Sequence, residues 1–230
     1  MMPKFRAAMF DMDGTLLCTM RYWRMATLEY LLAHDIFPSP EQMSRLLVSS
    51  SRKLCREILS ERDIQVDERE VLRELEGYMR RHYLHDAHEK PRVGEFLDML
   101  GAAGVKMCVG TAAPREYARE GLSRLGLEAR FDFVTDCYEQ ELTKSEPEFF
   151  HRVARRLGVR TEEMCVFEDA LYAMRGAKAA GCPVIAILDR SQSRDWPEIR
   201  ALADVCAEGY DELIAFFRAE FELETDFRSR

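Results

Sequence analysis

Near the start of the chain, in AAMFDMDGTLL (7–17), an apolar run ends in two acids one residue apart, Asp11 and Asp13, followed at once by Gly14 and Thr15. Crowded carboxylates repel each other and raise each other's pKa values. Other reactive groups recur in similar surroundings. Thr111 follows VKMCVG, Glu168 and Asp169 follow MCVF, and Lys144 lies in LTKSEPEFF ahead of a helical pattern. A hard divalent cation reconciles carboxylates packed this way. Mg²⁺ prefers oxygen ligands, takes few carboxylates and keeps positions open for water and phosphate. A carboxylate that can attack, a lysine, a hydroxyl and a Mg²⁺ together suit transfer of a phosphoryl group.

For these residues to meet, the chain must bring their segments to one place. Short apolar runs at 7–10, 105–110, 133–135, 164–167 and 183–188 read as strands, and helical patterns at 114–125, 148–157 and 171–180 separate them. Gly126, Gly158 and Gly181 stand where those helices should stop. Continuous apolar strands alternating with helices predict an α/β fold, a doubly wound, Rossmann-like parallel sheet covered on both faces. Ligands of such sheets bind beyond the carboxyl ends of the strands, where Asp11, Asp13, Thr111, Glu168 and Asp169 all fall. Residues 18–90 break the alternation. They are helical in pattern throughout, which predicts a small α-helical cap domain inserted after the first strand, with the core formed by 1–17 and 91–230.

The four segments together resemble the haloacid dehalogenase (HAD) superfamily, in its subgroup of beta-phosphoglucomutase-like phosphatases with a helical cap. Asp11-Met12-Asp13-Gly14-Thr15 matches the DxDGT motif, Thr111 the second, Lys144 with Pro147 and Phe150 the third, and Glu168-Asp169 the fourth. The resemblance implies Asp11 as nucleophile and Asp13 as general acid/base. It implies a phosphate cradle of Thr111 and the Ala112 N–H, and Lys144 as the bridging cation. It implies Mg²⁺ as cofactor, held by Asp11, the Asp13 carbonyl and Asp169, with Glu168 contributing directly or through water. The chain departs from the pattern at Cys18-Thr19, Ser145, Glu148, Ala170 and Ala173, none of which is a reacting group.

Phosphomutases of the subgroup carry a histidine where this chain has Trp23, and an indole does not titrate near neutral pH. This favours a hydrolase acting on a small phosphorylated metabolite, a sugar or polyol phosphate, over a sugar phosphomutase. A catalytically silent phosphate-binding protein is the alternative of a different class. In the cap, Arg52 is a candidate substrate contact, since a guanidinium suits phosphate; Lys53 beside it does not sit in the motif of the phosphonate-cleaving relatives. His82, His85 and His88, three apart, read as a solvated hinge rather than a metal site. The charged run at 211–230 reads as a solvated helix face.

The 230 residues allow one large domain or a domain with an insert. A net charge of −8 argues against nucleic acid or an anionic membrane as partner. No apolar run approaches membrane-spanning length and no secretory signal opens the chain. Seven scattered cysteines without a CxxC pair predict reduced thiols and a cytoplasmic location. A monomer or homodimer is expected.

Overall fold

The computed structural model describes residues 5–48 and 52–228. Six strands form one parallel sheet: β1 (Ala7–Phe10), β2 (Lys106–Thr111), β3 (Phe133–Asp136), β4 (Met164–Glu168), β5 (Val184–Ile187) and β6 (Val205–Ala207). Their order is β3-β2-β1-β4-β5-β6. β1 and β4 are buried at every position, as strands of a sheet covered on both faces must be. Pairing sets Phe10 opposite both Val109 and Phe167. The next residue in each chain segment therefore emerges at the same edge.

Alternation along the strands builds two cores. Ala8, Phe10, Val109, Cys165 and Phe167 face one side, and Ala7, Met9, Cys108, Met164 and Val166 the other. In chain order the helices begin with α1 (Met20–Ala33), α2 (Pro40–Val48), α3 (Arg52–Ser60) and α4 (Glu68–His85). After them come α5 (Val93–Ala102), α6 (Arg115–Arg124), α7 (Cys137–Gln140), α8 (Pro147–Leu157), α9 (Leu171–Ala179), α10 (Trp196–Leu202) and α11 (Tyr210–Arg228). Phe96 of α5 and Phe217 of α11 cover the first face, where Phe10 and Phe167 stack at 4.4 Å. Phe149 and Phe150 of α8 and Met174 of α9 cover the second. α8 has Pro147 in its first turn and stops at Gly158, whose φ of 72° is the left-handed region that glycine enters without strain.

α1–α4 hold their own apolar cluster, including Leu31, Ile58, Leu59 and Leu75. The lower ends of α1 and α4 join the main core through Tyr22, Trp23, Met79 and Tyr83. The two chain crossings into this helical segment pair with each other: Cys18 N–H donates to His88 O at 2.8 Å and Lys90 N–H to Leu16 O at 2.8 Å. The Arg80 guanidinium on α4 grips Glu120 on α6 at 2.7 and 2.5 Å.

Two features add to the expectations and one expectation changes. β6 was not foreseen; it is three residues long at the sheet edge, too short for a periodicity to show. The helix from residue 210 also has an apolar face that the charged run did not announce, with Leu213, Ile214 and Phe217 buried against the sheet. His82 is not solvated: it is buried, stacks on Tyr22 at 4.7 Å, and lies 2.7 Å from Asp86 and 3.2 Å from Glu29. No helix among the described residues is long and apolar enough to cross a membrane.

Candidate active site

The chain leaves β1 in one direction through the sheet, to β2 and β3, and returns to lay β4, β5 and β6 on the other side. Connections diverge between β1 and β4, which opens a crevice at the carboxyl edge. Asp11 enters it directly after β1, its backbone N–H fixed on Phe167 O at 2.9 Å. Glu168 closes β4 and Asp169 follows. Lys144 arrives from the loop before α8. Gly176 allows that approach, since a Cβ on α9 there would sit 2.2 Å from Lys144 O.

The Lys144 ammonium is the centre of this cluster. It donates to Asp11 Oδ1 at 2.5 Å and Glu168 Oε2 at 2.7 Å, with Gly110 O at 3.3 Å. Burial works against its charge, yet the carboxylates of Asp11 and Glu168 outweigh it and hold the lysine pKa well above its usual value. Glu168 is oriented from its other oxygen, which accepts the N–H of Asp169 at 3.2 Å and of Ala170 at 3.1 Å. Burial, then Asp11, pushes Glu168 up to about 7 against the pull of Lys144. Asp169 is raised well above the carboxylate range by burial, then by Asp11, Glu168 and Asp189.

Two oxygens here are buried with no hydrogen-bond partner, Asp11 Oδ2 and Asp169 Oδ2. Each of Asp11, Glu168 and Asp169 offers an oxygen within 4.8 Å of the others. Unsatisfied buried carboxylate oxygens are costly. Hard, oxygen-only donors converging this closely fit a small divalent cation, Mg²⁺ foremost. Gly14 adds a steric reason for the motif: at its φ of +92°, a Cβ would meet Asp169 Oδ2 at 2.4 Å.

Asp13 stands apart from that cluster and faces the helical segment. Its Oδ1 accepts from Thr19 Oγ1 at 2.5 Å and its Oδ2 from the Tyr83 hydroxyl at 2.6 Å. Burial pushes Asp13 up to about 6; donors on Thr19, Tyr83 and Trp23 oppose the rise, and Asp11 adds to it. Thr111 is fully buried at the end of β2, where its Oγ1 accepts the Ala113 N–H at 3.0 Å; Ala112 lies between them. Asp11, Glu168, Asp169 and Lys144 therefore meet, while Asp13 and Thr111 stand at the ends of the strands beside them. Arg52 begins α3, and its side chain, like that of Lys53, lies outside the described residues.

Sequence reasoning missed Tyr83, and did not see that Trp23 bonds Asp13. Residue 83 is seventy positions from Asp13, and nothing local marks it among the other aromatics of α1 and α4.

The fold and this cluster define a class of hydrolase, and the chain belongs to it: the model of the haloacid dehalogenase-like hydrolases matches residues 5–181. The chain is 29% identical over 191 residues to the fructose-1-phosphate phosphatase YqaB of Escherichia coli, covering 81% of this chain and 98% of that one. It is 29% identical over 178 residues to a phosphorylated carbohydrates phosphatase of Thermotoga maritima, covering 76% and 81%. Among solved structures it resembles CbbY of Rhodobacter sphaeroides in complex with phosphate (TM-score 0.74, 21% identity, 91% and 96% covered). It also resembles a HAD hydrolase of family IA, variant 3, from Entamoeba histolytica (TM-score 0.77, 18% identity, 90% and 95% covered). At those identities the solved structures speak for the fold alone.

Proposed function

We propose that this chain is a Mg²⁺-dependent phosphatase of small phosphorylated metabolites, sugar or polyol phosphates, working through an aspartyl-phosphate. The observation that carries the reading is the Asp11 carboxylate itself. One oxygen is held by Lys144, the other is buried without a partner, and Asp169 beside it has a second unpartnered oxygen. The curated relatives named as sugar-phosphate and carbohydrate phosphatases support the substrate class.

Asp11, the Asp13 carbonyl and Asp169 would hold the cation, with Glu168 directly or through water. When bound, Mg²⁺ neutralises phosphoryl oxygens and the crowded carboxylates. The remaining work belongs to the chain's own side chains. A carboxylate oxygen of Asp11 attacks phosphorus as the bond to the leaving oxygen breaks. Asp13, protonated in part near neutrality by its raised pKa, gives its proton to that oxygen. As a carboxylate it then takes a proton from water, whose oxygen attacks phosphorus and releases Asp11. Lys144 holds Asp11 in place and balances charge on the phosphoryl group. Thr111 and the Ala112 N–H cradle that group.

In this reading residues 18–90 act as a cap over a core of 1–17 and 91–230, with substrate selection, including any by Arg52, falling to the cap. Trp23 favours hydrolysis over mutase chemistry: it offers Asp13 a fixed N–H donor where a titrating imidazole would be needed. The seven cysteines are free thiols, which supports a cytoplasmic enzyme, monomer or homodimer. The test is phosphate release from a panel of sugar and polyol phosphates with Mg²⁺ and with EDTA. Mg²⁺-dependent release from one of them is expected. A folded, Mg²⁺-loaded protein that releases phosphate from none overturns the reading in favour of a phosphomutase or a silent binder.

A further inference from the structure

The chain carries a net charge of −8, yet five of its basic residues gather in one place. A cavity of about 700 Å³ opens where α1 and the hinge meet the turn after β5, and five of its lining side chains are basic against two acidic. Arg21 and Arg24 come from α1, Lys90 from the returning hinge, and Arg190 and Arg194 from the turn. Lys90 is already matched, since it pairs with Asp189 at 3.1 Å and donates to Leu188 O at 3.2 Å. Four guanidiniums are left facing one exposed carboxylate, Glu208.

None of the four forms an ion pair among the described residues; the hydrogen bond of Arg21 goes to the Tyr22 hydroxyl at 2.6 Å. Some arginines elsewhere in the chain find carboxylates, as Arg45 does with Glu57 and Glu61 and Arg92 with Glu95 and Asp211, and others stand singly without one among the described residues. Gathered, unpaired guanidiniums repel one another, and an oxyanion relieves the repulsion with forked hydrogen bonds. Ser191 also lines the cavity, on a turn fixed by its backbone N–H donating to Asp189 at 2.9 Å.

The cavity also adjoins the reactive cluster. Met20 lines it, and its Cγ lies 3.1 Å from the Cβ position of Gly14. One wall comes from the helical segment and the other from the sheet domain, so a bound anion bridges the two.

We propose that this cavity is an anion subsite that takes a phosphate or carboxylate group of a small ligand. The ligand chemistry has two sources. The first is a second anionic group on the substrate whose reacting phosphate sits at Asp11, a source that rests on the phosphatase reading. The second is a separate oxyanion that binds across the seam.

The test compares a sugar bisphosphate with an aryl phosphate in the wild type and in Arg190→Ala/Arg194→Ala, both exposed positions, with Arg24→Gln as a second variant. Loss of charge-assisted phosphate contacts is expected to lower the bisphosphate-to-aryl ratio of kcat/KM by roughly 10-fold or more. In parallel, metal-free protein is titrated with sulfate by calorimetry. A fallen ratio assigns the subsite to the substrate. An unchanged ratio with a sulfate-binding event lost in both variants assigns it to a separate anion. An unchanged ratio with unchanged sulfate binding overturns the proposal. If the wild type releases no phosphate at all, the phosphatase reading fails while the sulfate titration still decides the cavity.

Discussion

Replacing Lys144 by methionine keeps an unbranched side chain one atom shorter and deletes its charge. In the wild type the ammonium, 1% exposed, lies 2.5 Å from Asp11 and 2.7 Å from Glu168. At an effective dielectric near 20 each contact amounts to about 6 kcal/mol of raw attraction, most of it offset by the desolvation of all three charges. Breaking such a buried cluster from one side leaves carboxylates uncompensated and costs about 3–5 kcal/mol. Glu168 limits the loss. Already raised to about 7 with Lys144 present, it rises further without it and takes up a proton instead. The sign follows: a carboxyl raised above its unfolded value binds more protons folded than unfolded, so stability falls as pH rises through that window. The metal-free variant is therefore expected to lose about 2–4 kcal/mol at pH 8 and less at pH 5.5. For a chain of this size that is a Tm drop of roughly 5–15 °C, read by calorimetry or circular dichroism at both pH values. Added Mg²⁺ should recover part of it. A Tm equal to wild type at pH 8, or a deficit that grows on acidification, refutes the electrostatic account of the site.

Other perturbations reach separate parts of the same site. Gly14→Ala forces a Cβ onto Asp169 Oδ2 at a φ of +92°, and should cost about 1–2 kcal/mol from the backbone alone. It should also weaken Mg²⁺ activation by about 10-fold, as mispositioned ligand shells do, in a Mg²⁺ titration of activity. Asp13→Asn removes a carboxyl whose folded pKa of about 6 exceeds its unfolded value, so wild-type stability falls more steeply than the variant's as pH rises from about 4 to 6. The metal-free variant should be more stable than wild type at pH 7.5 by about 1–2 kcal/mol, the gap closing by about pH 4, with turnover lost. Tyr83→Phe deletes a donor to Asp13 and should cost about 1 kcal/mol of stability and lower kcat several-fold, in paired melting and kinetic measurements.

What could be read from the residues in order, and what could not, divides on physical lines. The strands β1 and β4 are buried on both faces, β2 is buried after its first residue, and their runs are therefore mostly apolar, with reactive types at their ends in an unusual place. Asp11, Thr111, Glu168 and Asp169 were legible for that reason. Lys144 was legible only by its place between the second and fourth motifs, since a lysine in a polar loop looks like surface. β6 was missed because an edge strand of three residues carries no periodic signal. The Tyr83–Asp13 bond was missed because it depends on how α4 seats against the loop after β1, a tertiary fact with no local trace. His82 was misread for the same reason: its partners, Glu29 and Asp86, come partly from another helix. The basic cavity at the seam draws its arginines from positions 21, 24, 190 and 194, which only folding brings together.

The central claim is that Asp11 is the nucleophile. The direct measurement is phosphate release from an aryl phosphate with Mg²⁺ by the wild type and by Asp11→Asn, with the melting of both proteins followed alongside. The account predicts Mg²⁺-dependent release by the wild type and a loss of at least about 1,000-fold in a variant that still folds, because removing an attacking group leaves only binding and charge stabilisation. Turnover retained by folded Asp11→Asn contradicts it.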